Sequence, residues 1–299
     1  FGSLVIAMIA ATTLADVRLP PGFDDHMVLQ RDQPLPIWGT AAPGEEVTVT
    51  FGSSSRRATA NTSGHWRVTL PAQSASADSQ RLVVSGRNTL NINDVLVGEV
   101  WLCAGQSNME WPLAKVDAAH NEIALADHPN IRLLQLQGAA RGGSGVYSSE
   151  HVARLAVDRF CQGKWEVCTP QTAQDFSAVA YFFGERLQRQ LEVPIGLICP
   201  AIGGTPIEAW IRRRAMASHP QLNHLVRGNW LTNPHLEPWC RTRARDNLRR
   251  AQQAQETVPG DDLGPNHSFK RGFMWGAGIA PLVSFALGGG LWCQGGWDG

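Results

Sequence analysis

The 299 residues carry 26 Lys plus Arg against 26 Asp plus Glu, a formal net charge of zero. That balance lacks the basic excess expected of a nucleic-acid-binding protein, so no polyanionic partner is implied. A chain of this length, 43% hydrophobic, can bury a sizeable core and suggests about two domains.

Leu4–Ala11 is an apolar run followed by Thr13-Leu14-Ala15, small residues at the spacing of a signal-peptidase site. The run is too short to span a bilayer. Residues 1–16 therefore read as the remnant of a signal peptide, which predicts a secreted, periplasmic or lysosomal/extracellular protein with no membrane span in the mature chain. Residues 17–97 carry the signals of a small β-sandwich. Val47, Val49 and Phe51 alternate with threonines, and Trp66, Val68 and Leu70 alternate after the turn cluster Asn61-Thr62-Ser63-Gly64. Arg81–Ser85 and Thr89–Ile92, separated by Gly86-Arg87-Asn88, are two more strands.

At Gly98 the pattern changes to longer apolar strands and amphipathic helices, an α/β signature that sets a second domain at residues 98–299. Val95–Ala104 is nearly uncharged, as expected of a central parallel strand covered on both faces, and Gly105 permits a sharp exit. Ser107 then stands just beyond the carboxyl end of that strand, where ligands bind in open α/β sheets. Phe176, Val179, Ala180, Phe183, Leu187 and Leu191 mark one helical face, with Asp175 as the expected N-cap. Pro194–Cys199 is the next buried strand. A glycine pair, Gly203-Gly204, follows it, and bare glycine amides can approach a ligand closely. Within a helical insertion at about 212–257, Arg241–Gln255 is charged and Gln-rich with little apolar periodicity, which predicts an exposed segment.

The six cysteines fit an oxidising compartment, yet none forms a C-x-x-C pair, so neither a zinc knuckle nor a redox motif is supported. Cys103 and Cys199 end apolar strands and read as small buried hydrophobes. Cys161 and Cys168 flank a short loop and are the expected disulfide. Sequons stand at Asn61 and Asn266.

The stretch Gly98-Glu99-Val100-Trp101-Leu102-Cys103-Ala104-Gly105-Gln106-Ser107-Asn108-Met109-Glu110-Trp111 closely resembles the nucleophile block of the sialate O-acetylesterase family, carbohydrate esterases of the SGNH-hydrolase fold. It is not the G-x-S-x-G elbow of α/β-hydrolases, because Met109 replaces the last glycine. Leu19-Pro20 and Asp25–Arg31 resemble the family's opening segment. Pro194–Ile198 with Gly203–Trp210 resembles its second block, and Ile279–Leu282 with Trp292-Cys293-Gln294-Gly295 resembles the approach to its third. The resemblance implies an SGNH-hydrolase-like parallel sheet flanked by helices, preceded by the small all-β sandwich. It further implies removal of O-acetyl groups from sialic acids by serine nucleophilic catalysis, with no metal or organic cofactor.

On that reading Ser107 is the nucleophile and its own N–H one oxyanion donor. A second donor comes from Gly204 or Gly203, and the third from the side-chain amide of Gln294. Asn108 is placed to shape the acyl pocket, and Glu208 and Trp210 to line a sugar site. The family's third block usually reads W-Y-Q-G-E-S-N. Here Gly296, Trp297 and Asp298 replace its glutamate, serine and asparagine. The family places its histidine in an Asp-x-His pattern downstream of that block. None of the nine histidines of this chain lies in such a segment, so no base is assigned and the 299-residue form is expected to be nearly inactive. Two other readings stand beside this one. An esterase of acetylated xylan keeps the chemistry, and a non-catalytic glycan-binding protein is suggested by Gly288-Gly289-Gly290 and Gly296.

Overall fold

The computed structural model describes residues 16–295. The apolar run at Leu4–Ala11, its small-residue site and the departures at Gly296, Trp297 and Asp298 lie outside those residues. Fifteen strands are assigned among them: β1 (Val28–Gln30), β2 (Leu35–Thr40), β3 (Glu46–Phe51), β4 (Ser54–Thr59), β5 (His65–Leu70), β6 (Ser76–Ser85), β7 (Thr89–Gly105), β8 (His128–Gln135), β9 (Gln137–Gly138), β10 (Cys161–Gln162), β11 (Trp165–Cys168), β12 (Ile195–Cys199), β13 (Gly260–Asp261), β14 (Gly264–Pro265) and β15 (Gly289–Cys293).

The alternating segments form antiparallel strands, as their period of two dictates. In β3 the side chains of Val47, Val49 and Phe51 point inward, and in β5 those of Trp66, Val68 and Leu70 do. They meet Leu35 and Ile37 of β2 in one apolar core. β4, β3 and β6 lie side by side and join the first half of β7, while β2 pairs with β5 as a separate two-stranded layer.

β7 is 17 residues long and does not stop at position 98. Its first half pairs antiparallel with β6, and its second half pairs parallel with β12 on one side and β15 on the other. β8 adds beyond β12, and β11 closes that edge antiparallel. β12 is buried on both faces. Ile195, Leu197 and Cys199 of β12 pack under the helix Ala178–Leu191, while Ile198 joins the opposite core with Trp210, Met274 and Ala277. Gly98 permits the carbonyl of Pro194 to approach, since a Cβ there would lie 1.9 Å from that oxygen. The β-rich and α/β halves are tied further by Arg132 of β8, which pairs with Asp94 of β7, itself bonded to His26 Nδ1 at 2.7 Å. His26 thus has a structural place.

Three local expectations are corrected. The helix Ala178–Leu191 is capped by Ser177, whose hydroxyl accepts the N–H of Ala180 at 3.1 Å, and not by Asp175. Of the expected face, Phe176, Ala180, Phe183 and Leu187 do pack into the core, joined by Ala178, Tyr181 and Gly184, while Val179 and Leu191 are exposed. The Arg- and Gln-rich stretch is the helix Pro238–Gln253, and it is not simply exposed. Cys240, Ala244, Leu248 and Ala251 form a buried stripe at helical spacing, made of small residues that the surrounding arginines mask. Cys161 and Cys168 do not form a disulfide. They lie on different sheets as free, buried thiols, and Cys168 Sγ donates to the carbonyl of Ala126 at 3.7 Å. Burial pushes both thiols up to about 12, so they are protonated at neutral pH and poor nucleophiles. Among the described residues no helix is long and apolar enough to cross a membrane.

Candidate active site

The site begins where β7 ends. Gly105 has φ +145°, and a Cβ on it would lie 2.1 Å from the carbonyl oxygen of Cys293 in β15. Only glycine meets both demands, so the chain turns sharply out of the sheet here. Gln106 then anchors the turn to β15 through its N–H to the Cys293 carbonyl at 3.1 Å and its side-chain amide to the Gly295 carbonyl. Ser107 opens the short helix Ser107–Glu110, half-buried at the carboxyl end of the parallel sheet, as the sequence pattern predicts.

The loop after β12 comes up beside it. A Cβ on Gly203 would sit 3.6 Å from both Cα and Cβ of Ser107, so the serine and the glycine pair are direct neighbours. The two glycines are not equivalent. The N–H of Gly203 donates to Glu110 Oε2 at 2.8 Å, whereas Gly204 has φ +76° and its N–H enters no such bond among the described residues. Thr205 braces the loop, its hydroxyl donating to the Ile202 carbonyl and accepting the indole N–H of Trp210, both at 2.8 Å.

Two cavities meet at Ser107. One, of about 500 Å³, is lined by Ser107, Gly203, Gly204, Arg141, Trp239, Arg243 and Phe269 among others. The other, of about 520 Å³, has a more polar wall that includes Glu110, Trp111, Lys115, Gln135, Arg141 and Asp175. Gln294 borders a third cavity of about 370 Å³ that shares Gly204 but not Ser107. Its Nε2 donates to the Thr205 carbonyl at 3.0 Å, and its Oε1 is buried without a hydrogen-bond partner among the described residues.

The structure therefore gathers Ser107, Gly203 and Gly204 around one space and sets Gln294 one loop away, bonded to the same loop. Glu208 borders the third cavity and pairs with the buried Arg271 at 3.7 Å. Trp210 lines none of the three cavities. It is buried, supports Thr205 and meets the ring of Trp292 edge-on at 5.5 Å. Asn108 is exposed on the short helix and lines none of them either.

Sequence reasoning did not find Glu110, Arg141, Trp239, Arg243 and Phe269. The last four come from three segments far apart in the chain, and only folding makes them one wall. The Arg141-Gly142-Gly143 segment is held by the helix Pro238–Gln253: Asn247 Nδ2 donates to the carbonyls of Ser144 and Gly145 at 2.6 and 2.7 Å. Tyr147 Oη donates to the Arg141 carbonyl at 3.1 Å. No histidine lines any of the three cavities, and among the described residues no cluster of His, Cys, Asp or Glu could hold a metal ion.

Comparison with known proteins agrees with this architecture. Residues 97–227 match the family model described as carbohydrate esterase, sialic acid-specific acetylesterase. The sialate O-acetylesterase of Rattus norvegicus is 30% identical over 98% of this chain and 54% of its own length. That of Homo sapiens is 29% identical over 93% of this chain and 48% of its own length. The chain thus spans about half the length of the curated relatives it matches. The crystal structure of a carbohydrate acetylesterase from Xanthomonas citri superposes with a TM-score of 0.65 at 29% identity, covering 93% of this chain and 51% of that one. A sharp serine-bearing turn at the end of a parallel strand, a family model matched over residues 97–227 and relatives aligned along nearly the whole chain point the same way: the chain is similar to the sialate O-acetylesterases, carbohydrate esterases, over the half of their length that it spans.

Proposed function

We propose that this chain carries the nucleophile and the oxyanion donors of an exported O-acetylesterase acting on acetylated acidic sugars, sialic acids in particular. The observation that carries the reading is the approach of Gly203-Gly204 to Ser107 across a single cavity at the carboxyl end of β7 and β12. In the proposed route Ser107 Oγ attacks the acetyl carbonyl, and the tetrahedral oxyanion is held by the N–H groups of Ser107 and Gly204 and the side-chain amide of Gln294. Collapse expels the sugar hydroxyl, and water then releases acetate from the acetyl-serine. The route uses no cofactor.

Gly204 is preferred over Gly203 because the N–H of Gly203 is already taken by Glu110. For the same geometry to be completed, the second N–H of Gln294 must turn from the third cavity toward Ser107. The acidic sugar is preferred over acetylated xylan because Arg141 and Arg243 border the cavity beside Trp239 and Phe269. Guanidinium groups donate to a carboxylate in fork geometry, and an aromatic face suits a sugar ring. A neutral xylan chain would gain only the second of these.

Acetate release from O-acetylated sialic acid and from acetylated xylo-oligosaccharide tests the reading directly. We expect Ser107→Ala to abolish release. Arg243→Ala should lower kcat/KM for the sialic acid about tenfold or more while leaving the xylan substrate nearly unchanged. Equal losses on both substrates would remove the argument for an acidic sugar. The absence of histidine from the cavity walls supports a second reading, glycan binding with little turnover. In serine hydrolases whose catalytic residues act as a unit, loss of the histidine alone costs about 10⁶ in turnover. Binding of the acetylated sugar without acetate release, unaltered by Ser107→Ala, would favour that second reading.

A further inference from the structure

Glu110 lies three residues beyond the serine on the same short helix, and its carboxylate is divided between two other loops. Oε2 accepts the N–H of Gly203 at 2.8 Å, and Oε1 pairs with Arg141 Nη2 at 2.8 Å. Its side chain is 15% exposed against 63% for Arg141, so the carboxylate is the sheltered hub and the arginine its outer arm. One side chain thus joins the loop that follows β7, the loop that follows β12 and the Arg141-Gly142-Gly143 segment, the three pieces of backbone that surround Ser107.

We infer that Glu110 is a positioning residue for the esterase reaction. By occupying the N–H of Gly203 it fixes the glycine pair and commits Gly204 as the amide that faces the reacting carbonyl. The inference rests on the esterase reading above. An oxyanion donor acts only when it is held where the charge will develop, and losing or displacing one typically costs about 10²-fold in rate. Glu110 holds the peptide N–H one residue before the donor amide and acts on the oxyanion through that neighbour. A bond from a charged carboxylate is stronger than one from a neutral acceptor, and the ion pair with Arg141 restricts the carboxylate to one rotamer.

The test combines ester kinetics with amide hydrogen exchange at Gly203 and Gly204 in the full 299-residue chain. 4-Nitrophenyl acetate serves as substrate, and the variants are Ser107→Ala, Glu110→Ala and Glu110→Gln. For Glu110→Ala we expect Gly203 exchange to accelerate at least tenfold. The Ser107-dependent kcat should fall about 10- to 10²-fold with KM within about threefold. Glu110→Gln keeps an acceptor oxygen and should restore most of both. Unchanged Gly203 exchange in Glu110→Ala overturns the proposal. So does a loss confined to KM, or a glutamine variant as impaired as the alanine one. If hydrolysis is undetectable, or is the same in Ser107→Ala as in the wild type, the esterase reading is what fails. The exchange measurement then decides by itself whether Glu110 fixes the glycine loop.

Discussion

His267 shows how much of a side chain's behaviour comes from its surroundings. It is fully buried, its Nδ1 accepts the N–H of Phe269 at 3.1 Å, and its Nε2 faces Asn247 Oδ1 and Tyr147 Oη, each at 3.1 Å. With Nδ1 an acceptor, the ring proton sits on Nε2. Burial pushes its pKa down to about 3, so the ring is neutral at physiological pH. The unfolded chain takes up this proton near 6.5 and the folded one only near 3, so the unfolded state binds more protons between those values. The contribution is complete above about pH 6.5 and is lost as pH falls toward 3, with a slope of up to about 1.4 kcal/mol per pH unit. Urea midpoints measured from pH 7.5 to 4 should fall for the wild type and flatten in His267→Gln. Parallel curves would contradict the assignment. At this scale the sequence revealed the residues whose roles belong to the backbone, such as Ser107 at a strand end and the paired glycines. It did not reveal Arg141, Arg243 or Glu110, since a charged side chain reads the same whether it faces a cavity or bulk water.

Strands were more legible than helices. In β3 and β5 every second side chain is buried, and a period of two survives in any short window. Helical faces depend instead on what lies across from them. The helix Ala178–Leu191 approaches the sheet at Gly184, where a Cβ would meet Leu197 Cδ1 at 2.5 Å, and this close approach turns Val179 outward. Gly184→Ala should therefore destabilise by about 1–3 kcal/mol through overpacking, although alanine is the better helix former. A thermal midpoint at or above the wild type would show that the helix can shift without cost. The helix Pro238–Gln253 makes the complementary case. Leu248 is fully buried and its neighbour Arg249 is exposed. Leu248→Ala should cost about 2–5 kcal/mol, and Arg249→Ala within about 0.5 kcal/mol of nothing, when both are followed by chemical denaturation. The composition of this helix concealed its buried stripe, because alanine and cysteine contribute little to a hydropathy pattern dominated by arginine and glutamine.

For the molecule as a whole, the change of pattern at Gly98 was readable, but its physical form was not. A shift from alternating to continuous apolar sequence can mark a linker or a single strand that changes neighbours, and here it is the strand. β7 is hydrogen-bonded to β6 before the shift and to β12 and β15 after it, and Arg31 and Arg132 reach across the same point to Glu99 and Asp94. Neither half can lose β7 without exposing the core of the other, so calorimetry should record one unfolding endotherm for the described body, at the same midpoint by near-UV and far-UV signals. Two resolved endotherms would mean that the halves melt independently. The strand that starts in the β-sandwich therefore runs without a break to Gly105, at the turn that presents the serine. Recombination, natural or engineered, finds no seam here at which to exchange the sandwich for another module. A replacement that altered the length or twist of that strand by a single residue would also re-aim the nucleophile.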